Sequence, residues 1–390
     1  MADYSSFENK KRIIAKQFEL IKWVVFYISL TYDDRNGFIP YLLGEVKQLH
    51  QNAEYFWGFS MVTIKDIARR AGVSPSVVSR ALNNKYGVKE STRQLIKNIA
   101  REMNYYPNAA ARRLVTRKSG MIGVMMADIS EPFYTQIIKG MEYVASQTGY
   151  TLLFSNSYDN LEKTNVLQKM IVTENVDGLV IVGSNRQDTS FIGMLLERKI
   201  PFVLIERNFK KDKVNCIWID NKKAAYTATK FLLEKGHKKI AHIAGNLQNQ
   251  VAIERLAGYT QALKESGVLE PNRLVIHGNF VCEDGYRAMQ EILRAQPDCT
   301  GVFVANDSMT YGALQAIHEA GFAIPQDIAV VGFDDLEFSA FTNPPLTTIR
   351  QPRYEMGKKS MEILIKILQG EEKNGINLCL PFELIIRNSA

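Results

Sequence analysis

Two sets of residues in this chain have the types and spacing to do chemistry. The first is Ser76, Ser79, Arg80 and Asn83. A helix carries residues so spaced on one face, and hydroxyls, an amide and a guanidinium in such a row suit base edges and phosphates. The second set follows a series of short apolar runs. Asp128-Ile129-Ser130-Glu131-Pro132-Phe133-Tyr134 comes after the first run, and Ser155-Asn156, Gly183-Ser184-Asn185, Glu206-Arg207-Asn208 and Asp220-Asn221 after later ones. Asn279-Phe280, Asn306-Asp307 and Asp334-Asp335 continue the series. Carboxylates, amides and arginines around aromatic faces offer bidentate hydrogen bonds and a stacking floor, which a polyol or a nucleobase needs. No catalytic pattern accompanies them. There is no G-x-G-x-x-G, no Walker loop, no G-x-S-x-G elbow and no H-E-x-x-H. His50, His237, His242, His277 and His318 show no ligand spacing, so no metal, cofactor or catalytic residue is expected.

The elements that must hold these residues emerge from charge and periodicity. The chain has 390 residues, 46% hydrophobic and 23% charged, the composition of an ordinary globular protein of two or three folded units. Its net charge of +7 is confined. Residues 61–120 hold 13 basic and 3 acidic side chains, against 7 of each in 1–60 and 28 against 31 in 121–390. The polyanion that fits one basic segment of sixty residues is nucleic acid. Cys216, Cys282, Cys299 and Cys379 are spaced for neither a disulfide scaffold nor zinc, and buried thiols in a reducing cytoplasm are expected. The longest apolar candidate for a membrane, Trp23–Leu30, is too short to span one.

Residues 62–106 predict three short helices. Thr63 and Asp66 form a T-x-x-D capping box, Gly72 makes a tight turn, and Ser74 caps a second helix with Pro75 in its first turn. Val78, Ala81 and Leu82 face inward on the second helix, and Leu95, Ile96, Ile99 and Met103 on the third. Two helices joined by an Ala-Gly-Val turn, with a polar outer face on the second, read as a helix-turn-helix. After Tyr105-Tyr106-Pro107, Asn108 caps a stretch of three alanines and two arginines too short to be stable alone in water. From Gly120 the texture becomes alternating strands and helices, ten apolar runs with amphipathic stretches at 134–148, 160–175, 223–235, 253–266 and 308–320. That alternation predicts parallel, doubly wound sheets in two lobes, with ligands beyond the carboxyl ends of the strands.

The stretch Val62–Thr116 resembles the lactose/galactose repressor family of bacterial transcription regulators. So do Val176-Asp177-Gly178, Gly236–Ile240, Arg255 with Gly258-Tyr259, Asn306-Asp307, Val331–Asp335, Pro345–Ile349 and Glu383–Ser389. The resemblance covers 62–390, and residues 1–60 have no counterpart in it. It implies an extension at 1–60, a headpiece at 61–106, a hinge helix and linker at 107–119, and a periplasmic-binding-protein-like core at 120–390. Lobe one would be 120–219 with 351–379, and lobe two 220–350 with 380–390. The extension is expected to be dispensable for DNA binding. The family implies a cytoplasmic homodimer on a pseudo-palindromic double-stranded operator, controlled by a small-molecule effector, a carbohydrate by the family's habit. No leucine heptads follow Tyr354–Leu368, so a tetramer is not expected.

Carried over position by position, Pro75, Ser76, Ser79, Arg80 and Asn83 would face the major groove, and Thr63, Ser74 and Tyr105 would hold phosphates. Asn108 would open the hinge helix, with Ala111 against the minor groove and Leu114 as a wedge between base pairs. Val77 stands where the family usually has Thr, and Pro75 lacks a hydrogen-bonding side chain, so Ser76 and Arg80 are expected to carry more of the discrimination. Around the interlobe cleft the resemblance places Asp128, Phe133, Glu206, Arg207, Arg255, Phe280, Asn306 and Asp334. Phe280 would be a stacking floor, and Arg255 and Asp334 would clamp hydroxyls from opposite sides. Glu206 and Asp334 favour an uncharged polyol, whereas Arg207 and Arg255 suit a carboxylate or phosphate. One branch of the family answers instead to a phosphorylated carrier protein. That mode needs exposed arginines, and none follows Asp335 before Arg350.

Overall fold

A computed structural model describes residues 62–105, 118–156, 176–183, 189–209, 214–267, 274–371 and 375–390. The chain divides into two units, Met1–Asn108 and Ala109–Ala390.

In the first unit, α1 (Ile64–Ala71), α2 (Pro75–Leu82) and α3 (Glu90–Glu102) surround one small core. The Asp66 carboxylate accepts the Thr63 backbone N–H at 3.0 Å and its hydroxyl at 2.6 Å, which fixes the start of α1. Gly72, at φ 66°, ends the helix and turns the chain toward α2. Ser74 occupies the position before α2 without capping it, because its hydroxyl bonds the Ser76 hydroxyl at 2.8 Å instead of a backbone N–H. Ile67, Ala68, Val78, Ala81, Ile96, Ile99 and Ala100 form the core. Leu82 and Met103 pack against that core half-buried. Leu95 departs from expectation and is 49% exposed. The inward stripe of α3 is Ile96, Ile99, Ala100 and Met103, and one step back along the helix swings Leu95 about 100° off it.

The second unit holds two six-stranded sheets. The first contains β1 (Met121–Met126), β2 (Thr151–Asn156), β3 (Gly178–Val182), β4 (Phe202–Ile205), β5 (Asn215–Ile219) and, late in the chain, β11 (Asn377–Leu380). Their order is β2-β1-β3-β4-β5-β11, parallel throughout. The second contains β6 (Ile240–Ala244), β7 (Val275–His277), β8 (Gly301–Val304), β9 (Ala329–Asp334), β10 (Thr347–Arg350) and β12 (Glu383–Ile385). Its order is β7-β6-β8-β9-β10-β12, with only β12 antiparallel. The central strands are apolar along their whole length because helices cover both faces, as in the fully buried Gly178–Val182 and Ala329–Asp334.

The covering helices are α4 (Pro132–Thr148), α5 (Thr189–Glu197), α6 (Asn221–Glu234), α7 (Gln250–Glu265), α8 (Cys282–Ala295), α9 (Asp307–Glu319) and α10 (Arg353–Gln369). The expected stretch 160–175 lies outside the described residues. After α10 two short strands, β11 and β12, divide between the sheets. Cys216 and Cys299 are buried as expected, but Cys282 and Cys379 are exposed, at the first position of α8 and on the edge strand β11.

Candidate effector cleft and nucleic-acid face

Both sheets reverse their strand order in the same way, between β1 and β3 and between β6 and β8. In open α/β sheets the loops beyond such a switch point leave a crevice. A cavity of about 330 Å³ lies there, lined from one sheet by Asp128, Gly183 and Glu206 and from the other by Asn246, Phe280, Asn306 and Asp334. Glu131 and Phe133 at the start of α4, Asn249 at the start of α7 and Arg255 within it complete the walls. Ser308 on α9 donates to the Glu131 carboxylate at 3.5 Å, a contact from one lobe to the other.

Arg255 is the centre of the lobe-two wall, 2% exposed. Its Nε donates to Asn221 Oδ1 at 3.0 Å, its Nη1 to the Ala305 carbonyl at 2.6 Å, and its guanidinium lies 3.8 Å above the Phe333 ring. Asp334 Oδ1 stands 3.9 Å from Nη1 and accepts Gln351 Nε2 at 2.7 Å. Gln351 sits where the chain crosses from β10 to α10, so this carboxylate is tied to the interlobe connection. Burial lifts Asp334 to about 6 against the pull of Arg255 and Arg353. Burial likewise lifts Glu206 to about 7, with Arg255 opposing and Asp334 adding to the rise. Glu131 is raised by burial and by the charges of Asp128 and Asp334. Behind the wall, Asp307 accepts Ser339 Oγ at 2.5 Å, Thr348 Oγ1 at 2.7 Å and the Leu336 N–H at 2.9 Å, yet burial and Asp334 hold it at about 7. A Cβ on Gly332 would collide with that carboxylate, so glycine makes room for it.

Phe280 lies flat against Gly245, where a Cβ would strike its ring, and its carbonyl accepts Asn306 Nδ2 at 2.9 Å. Three lining residues, Glu206, Phe280 and Asp334, hold φ of 68°, 68° and 118°. Non-glycine residues persist there only when their surroundings fix them, and such strain gathers at binding sites.

In the first unit, α2 presents Pro75, Ser76, Arg80 and Asn83 exposed and Ser79 half-buried. Arg80 Nε donates to the Ser76 carbonyl at 3.4 Å and Asn83 Nδ2 to the Ser79 carbonyl at 2.8 Å, so both reach along their own helix. Arg93 pins the following loop by donating to the Ala81 and Lys85 carbonyls at 3.2 and 3.0 Å. Thr63 and Ser74 are exposed and Tyr105 half-buried, its phenol raised by burial. Thr63 already gives both its donors to Asp66, so binding a phosphate requires its hydroxyl to change partners.

Residues 63–108 match the family described as bacterial regulatory proteins, lacI family. Residues 119–388 match periplasmic binding proteins and sugar binding domain of LacI family. The chain belongs to the LacI family. It is 35% identical over 328 residues to the HTH-type transcriptional repressor CytR of Escherichia coli (strain K12), covering 84% of this chain and 96% of that one. It is 34% identical over 314 residues to the repressor PurR of Vibrio atlanticus, covering 80% and 93%. Among solved structures it is similar to a lac repressor dimer bound to operator and the anti-inducer ONPF, at TM-score 0.76 and 30% identity, covering 84% and 98%. The CelR–cellobiose complex superposes at TM-score 0.66 and 31% identity, covering 84% and 100%. With transcriptional repressors as its relatives, this regulator is a DNA-binding transcription factor and not an enzyme.

Of the eight cleft residues expected in this regulator, Asp128, Phe133, Glu206, Arg255, Phe280, Asn306 and Asp334 line one cavity. Arg207 does not; it is 7% exposed, with its guanidinium 5.4 Å over the Phe209 ring. The positive φ at Glu206 turns the chain, so that Glu206 meets the cavity and its neighbour does not. Arg255 and Asp334 do not act from opposite sides either: both belong to the second-sheet wall and pair with each other. Sequence reasoning left out Asn246 and Asn249, although they follow β6 as Asp128 follows β1, and the same strand-end signal would have found them. Asn108, Ala111 and Leu114 lie outside the described residues. Among the described residues no helix is long and apolar enough to cross a membrane, and no cluster of three His, Cys, Asp or Glu could hold a metal.

Proposed function

We propose that this regulator is a cytoplasmic homodimeric repressor of a pseudo-palindromic operator, controlled by a small-molecule effector, a sugar or sugar derivative, in the interlobe cleft. The observation that carries this reading is the cavity itself, lined from both sheets by strand-end residues and joined directly to an interlobe connection through Asp334 and Gln351. A ligand touching Asp334 changes the partner of Gln351, and so biases the two lobes between arrangements. Pro75, Ser76, Ser79, Arg80 and Asn83 would meet the major groove, with Thr63, Ser74 and Tyr105 on phosphates. The hinge Asn108–Thr116 would order on DNA and place Ala111 and Leu114 in the minor groove. A second protomer is supported by the dimer of the similar lac repressor structure, and by Phe338 and Phe341, which stand exposed on the short 3-10 helix Glu337–Ala340 and just after it.

A phosphorylated carrier protein as controller has less support. Arg350 and Arg387 are bonded to Asp335 at 2.7 Å each, and Arg353 donates to the Asp335 carbonyl at 2.7 Å. A phosphoserine would have to displace those partners.

The test begins by selecting duplexes from a random pool with the full chain. Fluorescence anisotropy on the selected duplex and a scrambled one is then repeated with a small-molecule panel. The expected result is an inverted repeat whose affinity changes at least severalfold with one panel member. An operator affinity that no panel compound moves, together with no compound that stabilises the core, would remove the effector half of the reading.

A further inference from the structure

The cleft contains four carboxylates, Asp128, Glu131, Glu206 and Asp334, and among its described lining residues one cation, Arg255. That cation is spent. It is bonded to Asn221 and to the Ala305 carbonyl, paired with Asp334 and laid on Phe333. The other arginine expected to serve an anion, Arg207, lies outside the cavity lining.

Three of the four lining amides each spend an N–H inside the protein. Asn246 Nδ2 donates to Asn279 Oδ1 at 3.1 Å, Asn279 Nδ2 to Asp284 Oδ2 at 2.9 Å, and Asn306 Nδ2 to the Phe280 carbonyl. Acceptors are in surplus by comparison. The Glu206 carboxyl makes no hydrogen bond to any described residue, and Asp128 spends one oxygen on the Ser130 N–H at 2.9 Å. The walls thus present unused negative oxygens and a paired positive charge.

We propose that the cleft takes a ligand without negative charge, a neutral or cationic hydroxyl- or amino-bearing compound that donates hydrogen bonds to Glu206 and Asp128, and that it rejects phosphate esters and uronic acids of the same scaffold. An anion would enter a site whose described lining carries net negative charge, displacing no carboxylate and finding no free cation among the described lining residues, and in a low-dielectric cavity that repulsion is strong. A ligand hydroxyl or ammonium meets the opposite case, a charge-assisted bond to a waiting carboxylate. Phe280 supplies the apolar face for a ring. The proposal rests on the effector reading above and adds the ligand's charge class to it.

The experiment is isothermal titration and thermal shift on the full chain. The panel holds neutral sugars and nucleosides, each with its amino, uronic acid and phosphate ester forms. Binders are expected only among neutral and amino forms, with the phosphate ester of any binder weaker by at least about tenfold. Glu206→Gln is expected to weaken that binder about tenfold or more and to narrow its advantage over its phosphate ester. Asp128→Asn is expected to act in the same direction, and serves if Glu206→Gln does not fold. A phosphate ester or uronic acid that binds more tightly than its neutral parent overturns the proposal. So does unchanged affinity in both variants. Binding of a neutral compound with no effect on DNA affinity would remove the regulatory reading and leave the charge selectivity standing, whereas no binder of any class removes both.

Discussion

Helix α2 and the cleft wall use the same residue types in opposite ways. On α2, Arg80 and Asn83 reach carbonyls of their own helix, four positions back, and stay exposed to solvent. In the cleft, Arg255 bonds Asn221 and Ala305, 34 and 50 positions away, and is almost wholly buried. An exposed guanidinium costs little to keep and little to redirect toward a new partner. A buried one is part of the structure, and removing it takes from Asp334 its ion-pair partner, leaving only the pull of Arg353. The first region can therefore lose function without losing stability, while in the second the two losses come together.

The largest expected effect tests the cleft side. Arg255→Ala should destabilise the core by about 3–5 kcal/mol and abolish any effector response, because the buried Asp334 carboxylate loses its ion-pair partner. Differential scanning calorimetry of the full chain would show it as a lowered core transition. The double variant Arg255→Met with Asp334→Asn should recover part of that loss, since neither charge then remains. If the single and double variants melted alike, Arg255 would be acting through packing alone.

On the headpiece side, Arg80→Ala should cost about 1–3 kcal/mol in operator binding, roughly ten- to a hundredfold, and relax sequence preference. Its thermal stability should stay within about 0.5 kcal/mol of the parent, as expected for an exposed side chain. Anisotropy on specific and scrambled duplexes at fixed salt measures the first. A drop of equal size on both duplexes would make Arg80 a phosphate contact.

The contrast also explains what could be read in advance. The headpiece was legible because its signals are local: Thr63 and Asp66 are three residues apart, and Gly72 needs only its own φ. Six of the seven expected residues that line the cavity also stand in the strand-end segments, because strand ends converge in any doubly wound sheet, whereas Arg255, inside α7, came from the family resemblance alone. The strand-end rule could not separate Glu206 from Arg207, since which one faces the cavity is set by a left-handed backbone turn that no residue type announces. Nor could it show that Arg255 and Asp334 pair with each other, because their 79-residue separation closes only when α7 and β9 pack.

A third test uses pH. Asp307 at about 7 and Asp334 at about 6 stand above the ordinary 3.8 of an unfolded aspartate, and Glu206 and Glu131 are raised as well. Between those limits the folded core holds protons that the unfolded chain has released, so stability falls as pH rises. His242, lowered to about 4, and His237, also lowered, act in the reverse sense below about pH 6.5. The carboxylates are therefore best seen from roughly pH 6.5 to 8, where core stability should decline and then level off. Asp307→Asn should flatten that decline by up to about 1.4 kcal/mol per pH unit. Chemical denaturation at half-unit steps of pH measures the slope. A variant with the parent's slope would take Asp307 out of the account.

The smallest effect is the sharpest check on the headpiece. Periodicity placed both Leu95 and Ile96 in its core, and the structure separates them: Ile96 is fully buried and Leu95 is 49% exposed. Ile96 lies in the stripe with Ile99, Ala100 and Met103, packed against Ile67 and Val78, so Ile96→Ala leaves a cavity and should cost about 2–5 kcal/mol. Leu95 sits one residue off that stripe, and Leu95→Gln should change stability by no more than about 0.5 kcal/mol. Neither position belongs to the exposed face of α2, so operator affinity should follow only the folded fraction of each variant. Urea denaturation of the two variants with the parent gives both numbers from one experiment. If Leu95→Gln cost more than about 1 kcal/mol, Leu95 would be covered in the folded protein, and the apolar face of α3 would extend one residue further round the helix than Ile96, Ile99, Ala100 and Met103 define it.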